Sequence, residues 1–167
     1  RSWNAVYGDV TQGFIARQVT AITQRRLSIG GVPTSLLDVG YARVGVDSGW
    51  ATCTGVNGSW HDAGGHFLVN QTKFPSLKAM VDHGHAAGLK MDFYLNQDLD
   101  PGFHGCRSEG AIPGAAANTG NDASYANDAN DMAALGFDGV KFDGGGGNDD
   151  MAKWAAAVNA TGREILI

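Results

Sequence analysis

The sequence predicts an α/β fold: the first four βα units and the fifth strand of a (β/α)8 TIM barrel, carried as one domain over residues 1–167. Three observations predict it. Short β-type runs alternate with longer segments of helical period, the cadence that builds a parallel sheet. The long stretches 48–73 and 95–122, rich in Gly, Asn, Asp and Thr, both follow the C-terminal ends of strands, the edge at which barrels and open α/β sheets bind ligands. The chain also closes on the apolar run 164–167, where an unpaired parallel strand would be exposed, although a complete barrel has eight strands and typically about 250 residues. The expectation is therefore the N-terminal part of a longer barrel, with a closed five-stranded doubly wound sheet as the alternative.

Taken in order, the strands are expected at residues 3–6, 43–46, 90–94, 137–142 and 164–167. Thr11 is the expected N-cap of a first helix with Ile15, Val19 and Ile22 on one face, closing on Arg25 and Arg26, cations suited to a helix C-terminus. A second helix starts with Pro75 in its first turn, repeats Leu77, Met80 and Val81, and stops at Gly88. Tyr125, Ala129, Met132 and Ala133 mark a third, and Met151, Trp154, Ala155 and Val158 a fourth. The connections 10–40 and 75–88 read as helix-filled and compact, and the Asn/Asp cluster of residues 121–131 reads as a solvated helix face.

At 167 residues, 43% of them hydrophobic, the chain can bury a sizeable core. A formal charge of −5 offers no basic stripe for nucleic acid, and the apolar runs are too short to span a bilayer. An uncharged or weakly charged ligand fits best. The sequence begins at Arg1, without a charged segment followed by an apolar one, so any targeting signal is expected to have been removed or not included. Sequons at Asn57, Asn70 and Asn159 would accept glycans on the secretory route. Cys53 and Cys106 lack zinc-ligand spacing; they are either a disulfide, which would close a loop of about 50 residues and contribute roughly 4 kcal/mol, or two ordinary thiols.

Chemistry is expected at the strand ends. Asp47, Tyr94 and Asp143 each close a predicted strand, and structural caps have no reason to track one edge of a sheet. Lys141 lies two residues before Asp143 and so faces the same side, setting a cation beside a carboxylate. That pair suits an ionised nucleophile as well as a structural ion pair. The glycine run 144–147 is flanked by Asp143, Asp149 and Asp150, so a phosphate would meet repulsion there. His83 and His85 are two apart on a helix, wrong for chelation, and His85 is expected to be hydrogen-bonded in the core. His61, His66 and His104 lie in the long loops, where they could touch substrate.

These motifs together resemble the clan D glycoside hydrolases, the α-galactosidase and α-N-acetylgalactosaminidase family also called melibiases. Ser2-Trp3-Asn4 is similar to that family's first tryptophan motif, and Asp47-Ser48-Gly49-Trp50 to its Asp-Asp-Gly-Trp. Residues 73–80, 85–90 and Phe93-Tyr94 are similar to its second helix and third strand, and residues 136–143 resemble its nucleophile strand. The resemblance implies a retaining hydrolase removing terminal α-linked galactose, without metal or organic cofactor, secreted or lysosomal/vacuolar. Asp143 would be the nucleophile, and Trp3, Asp47, Trp50, Tyr94 and Lys141 would bind the sugar. The family's acid/base carboxylate follows the sixth strand, beyond these residues. A related α-glycosidase or a catalytically silent sugar-binding barrel are the alternatives. Ser48 departs from the family's second Asp, and Gly145 from a Cys that pairs with the position of Cys106; Cys53 would then be the partner of Cys106.

Overall fold

The computed structural model describes residues 2–55, 58, 60–96, 122–143 and 150–167. Its first element corrects the first expected strand. Residues 3–6 form a short helix, α1 (Trp3–Val6), because the Ser2 carbonyl accepts the N–H groups of both Ala5 and Val6 at 3.1 Å, closing a local turn in place of a sheet ladder. Helix α2 (Gln12–Thr23) opens as expected on Thr11, whose hydroxyl accepts the Phe14 N–H at 3.1 Å, and it buries Ile15 and Val19. It ends before the two arginines, and Arg25 instead meets Asp38 at 3.1 Å.

The connection expected to be all helix contains an antiparallel hairpin, β1 (Leu27–Ile29) and β2 (Val32–Thr34). Its two-residue turn is Gly30-Gly31, with φ of 57° and 84°, the left-handed pair that matches the twist of the flanking strands. The remaining elements are β3 (Arg43–Gly45), α3 (Leu77–Ala86), β4 (Lys90–Asn96), α4 (Asp122–Leu135), β5 (Gly139–Asp143) and α5 (Met151–Ala160). Ser76, not Pro75, sets the start of α3 by accepting the Ala79 N–H, and Asp150 caps α5 through the N–H groups of Ala152 and Lys153.

Strands β3, β4 and β5 pair in sequence order and in parallel. The last expected strand is reduced to one parallel bridge, Leu166 with Gly139, held by Val140 N–H to Leu166 O at 2.8 Å and Leu166 N–H to Asp138 O at 3.0 Å. Alternation assigns the two faces. Val44, Met91, Phe93, Leu95 and Val140 are buried against the helices, with Ile15, Val19, Leu77, Val81, Met132, Trp154 and Val158 opposite them. Phe142 stacks on Trp154 at 4.1 Å. The other face carries Arg43, Asp92, Tyr94, Lys141 and Asp143, since Gly45 pairs with Asp92 and Tyr94 with Lys141.

The N-terminal edge of this sheet is tied by Asp138, just before β5. Its carboxylate accepts from Met91 N–H at 2.9 Å, His85 Nε2 at 2.6 Å, Lys90 Nζ at 3.1 Å and Arg163 Nη2 at 3.1 Å. His85 is thus hydrogen-bonded as expected, but with its side chain 33% exposed it stands at the rim of the sheet and not in the core, because its partner Asp138 lies at that edge. Burial pushes the Asp138 carboxyl up, but the Met91 N–H and the His85 and Lys90 donors outweigh it and hold it below the usual carboxylate range.

Candidate active site

At the opposite, C-terminal edge, the strand ends deliver the polar side chains that the sequence singles out. Asp47 follows β3, and the Val46 N–H still bonds Asp92 O at 3.0 Å, so the residue is carried to the edge by the sheet ladder itself. Its backbone N–H donates to Ser2 Oγ at 3.0 Å, and its Oδ1 accepts the Ser48 N–H at 2.9 Å. Asp47 Oδ2 lies 3.4 Å from Lys141 Nζ. The same ammonium lies 3.1 Å from Asp143 Oδ2 and 4.9 Å from the centre of the Tyr94 ring. Tyr94 completes the group by donating its hydroxyl to Asp143 Oδ2 at 3.0 Å.

The four side chains are not equally open. Asp47 is 3% exposed at its side chain, Lys141 33% and Asp143 41%. Lys141 therefore bridges a buried carboxylate and an open one. A cation between two carboxylates lets both sit close without repulsion, and the open one is left facing whatever enters the mouth.

The two tryptophans stand differently. Trp50 is buried, its Nε1 donates to the Tyr94 carbonyl at 2.9 Å, and its ring packs against Phe93 at 4.6 Å, so in this arrangement it supports the strand from behind. Trp3, on α1, is half-buried with its ring edge-on to Tyr7 at 5.6 Å. The Ser2 hydroxyl joins this segment to Asp47. Tyr7 has φ of 48°, a left-handed conformation that is strained for a side chain of its size. Among the described residues there is no free cysteine; Cys106 and the glycine run 144–147 lie outside them, as do His104 and Asn57.

Sequence reasoning missed the most buried ion pair among the described residues. His61 Nε2 and Asp128 Oδ1 meet at 2.7 Å with side-chain exposures of 2% and 0%. The Asn/Asp stretch of α4 is therefore not a purely solvated face. The signal was present: Asp128 lies three residues after Tyr125 and four before Met132, on the apolar side of the helix. Burial pushes the Asp128 carboxyl up against the pull of His61. Further along α4, Asp131 accepts from His66 Nδ1 at 2.9 Å and from Phe67 N–H at 2.9 Å, and it raises the His66 pKa.

No family model matches the chain. It is, however, similar to the α-galactosidase of Oryza sativa, 28% identical over 162 residues that are 95% of this chain and 32% of the relative. It is 30% identical to the α-N-acetylgalactosaminidase of Gallus gallus over 135 residues, 77% of this chain and 29% of the relative. The chain thus spans about a third of the length of the curated relatives it matches. Among solved structures it superposes on α-galactosidase I from Mortierella vinacea with a TM-score of 0.72 at 23% identity, covering 98% of this chain and 37% of that one. No described helix is long and apolar enough to cross a membrane.

Proposed function

We propose, for a chain whose curated relatives are α-galactosidases and an α-N-acetylgalactosaminidase, that it belongs to a retaining glycoside hydrolase removing terminal α-linked galactose from oligosaccharides or glycoconjugates. The observation that carries the reading is the grouping of Asp143, Tyr94, Lys141 and Asp47 at one edge of a parallel sheet. A purely structural ion pair would not need an open carboxylate held at two points beside a buried one.

In this reading Asp143 is the nucleophile. Tyr94 and Lys141 both engage Oδ2, so Oδ1 is the oxygen placed to attack the anomeric carbon. Attack forms a glycosyl ester on Asp143 and breaks the bond to the leaving oxygen. A second carboxylate about 5–5.5 Å away protonates that oxygen and then activates the water that hydrolyses the ester. The resemblance sets that second carboxylate after the sixth strand, outside this chain. Asp47 and Lys141 bind sugar hydroxyls, Trp3 lines the mouth, and Trp50 acts through Tyr94.

The same reading takes the chain as the N-terminal part of one (β/α)8 barrel, supported by its parallel strand order and its match to a third of each relative. It includes a Cys53–Cys106 disulfide, the pairing that the resemblance implies. A secreted or lysosomal/vacuolar location and glycan acceptance at Asn159, exposed near the end of α5, belong to it as well. The chicken relative favours a second specificity, for α-N-acetylgalactosamine. Hydrolysis of the nitrophenyl α-galactoside and the nitrophenyl α-N-acetylgalactosaminide by the full-length protein tests the reading. Release faster from the galactoside supports it, release faster from the amide sugar moves the second specificity to first place, and cleavage of neither contradicts both.

A further inference from the structure

The mouth is backed by polar side chains that the proposed reaction does not use. His61 belongs to the loop between β3 and α3, and Asp128 to α4, which follows the long connection after β4. Their contact therefore ties the connection after β3 to α4. From it a continuous path of contacts runs to the nucleophile. The His61 ring lies 4.0 Å from that of Trp60, and Trp60 meets Trp50 edge-on at 5.4 Å. Trp50 Nε1 holds the Tyr94 carbonyl, and the Tyr94 hydroxyl holds Asp143. Asp131, one turn further along α4, fastens the same turn of the loop through His66 and the Phe67 N–H, across the bridge of Phe67 with His61.

A buried ionisable pair is a weak source of stability, because taking both groups out of water costs about as much as their attraction returns. Its use lies in direction. An apolar pair of similar volume would fill the same space but would let the loop slide along the helix, whereas a 2.7 Å bond between one ring nitrogen and one carboxylate oxygen fixes where Trp60 sits. Trp60 packs on both Trp50 and Phe67, and Trp50 and Phe67 both pack on Phe93 of β4, so the position of the cluster is passed to the strand that bears Tyr94.

We propose that His61 and Asp128 are positioning residues for hydrolysis: they set the tryptophan cluster that places the Tyr94 hydroxyl on Asp143. This rests on the assignment of Asp143 as nucleophile. It goes beyond that assignment by giving two residues linked to Asp143 through a chain of contacts a share in the rate.

The test is a kinetic cycle on the full-length protein. His61→Leu combined with Asp128→Leu removes both members of the pair at once, so that neither is left buried facing the gap of the other. The expected result is a folded enzyme whose kcat falls about tenfold with KM within twofold, a loss of orientation without loss of sugar binding. Adding Tyr94→Phe to this pair costs little more, since the hydroxyl is already misplaced. His61→Gln, which keeps a donor toward Asp128, restores most of kcat. Should the leucine pair not fold, His61→Asn, whose amide is too short to span the gap, enters the cycle in its place. A folded variant with wild-type kcat, or losses that multiply with Tyr94→Phe, overturns the inference alone. A wild-type protein that cleaves neither nitrophenyl glycoside overturns the reading beneath it, and the inference with it.

Discussion

Lys141 Nζ stands 3.1 Å from Asp143 Oδ2 while its other carboxylate contact, Asp47 Oδ2 at 3.4 Å, is buried. The spacing of two residues along β5 puts both Lys141 and Asp143 on the same face, and the parallel register brings Tyr94 alongside. The site is thus a product of strand alternation and register. Its consequences can be measured.

Replacing Lys141 by Met keeps length and removes charge. Asp47 and Asp143 then lose the cation between them, and Asp47 is left buried without its partner. The expected kcat/KM for a nitrophenyl α-galactoside falls by at least about 100-fold, corresponding to roughly 2.7 kcal/mol of lost transition-state stabilisation. Lys141→Arg recovers only part, because a planar fork does not replace a point charge at two sites. Steady-state kinetics with circular dichroism to confirm folding checks this.

Acid stability should depend on Asp138. Its folded pKa lies below the unfolded one, so its stabilisation is fully present above the ordinary carboxylate value of about 3.9 and is lost as pH falls through the lower folded value. The exposed His66 works in the opposite sense: held up by Asp131, its contribution is present below the ordinary histidine value and is lost as pH rises through the folded one. Melting temperatures from pH 7 to pH 2 should fall at the acid end for the wild type. Asp138→Asn should start lower and fall less.

Gly49 combines a left-handed backbone with a close approach to another backbone segment. Its φ is 103°, and an added Cβ would stand 2.5 Å from the Gly8 carbonyl oxygen, a backbone atom that cannot rotate away. Gly162 shares the left-handed conformation, with φ of 72°, but opens onto space. Gly49→Ala is therefore expected to lower the melting temperature several degrees more than Gly162→Ala, the excess reflecting an overpacking cost of about 1–3 kcal/mol. Because Gly8 lies next to Tyr7 and Gly49 next to Ser48, activity should fall with it.

Much of this architecture is legible in the sequence, for identifiable reasons. The three paired strands and four longer helices follow from apolar periodicity, since burial of a face enforces the period. Asp143, Lys141 and Tyr94 were legible because they sit at strand ends, where alternation fixes direction. The expected strand at residues 3–6 became a helical turn because so short a run has no periodicity to distinguish the two. The Gly30-Gly31 hairpin carried a turn signal that the helical reading of its surroundings overrode. Asp128 was hidden by its polar neighbours, though its place between Tyr125 and Met132 marks it as inward-facing. Its partner, His61, comes from a loop 67 residues away, and no local pattern reports such a contact.

The assignment of Asp143 as the nucleophile is tested most directly by trapping the intermediate. The full-length protein is incubated with an activated fluorinated galactosyl donor, whose electron-poor ring slows hydrolysis of the glycosyl ester, and the digest is read by mass spectrometry. One peptide, containing Asp143, is expected to be heavier by one fluorinated galactosyl group, with no such adduct in Asp143→Asn. Turnover of α-galactosides with the adduct on a different carboxylate, or an adduct that survives Asp143→Asn, would contradict it.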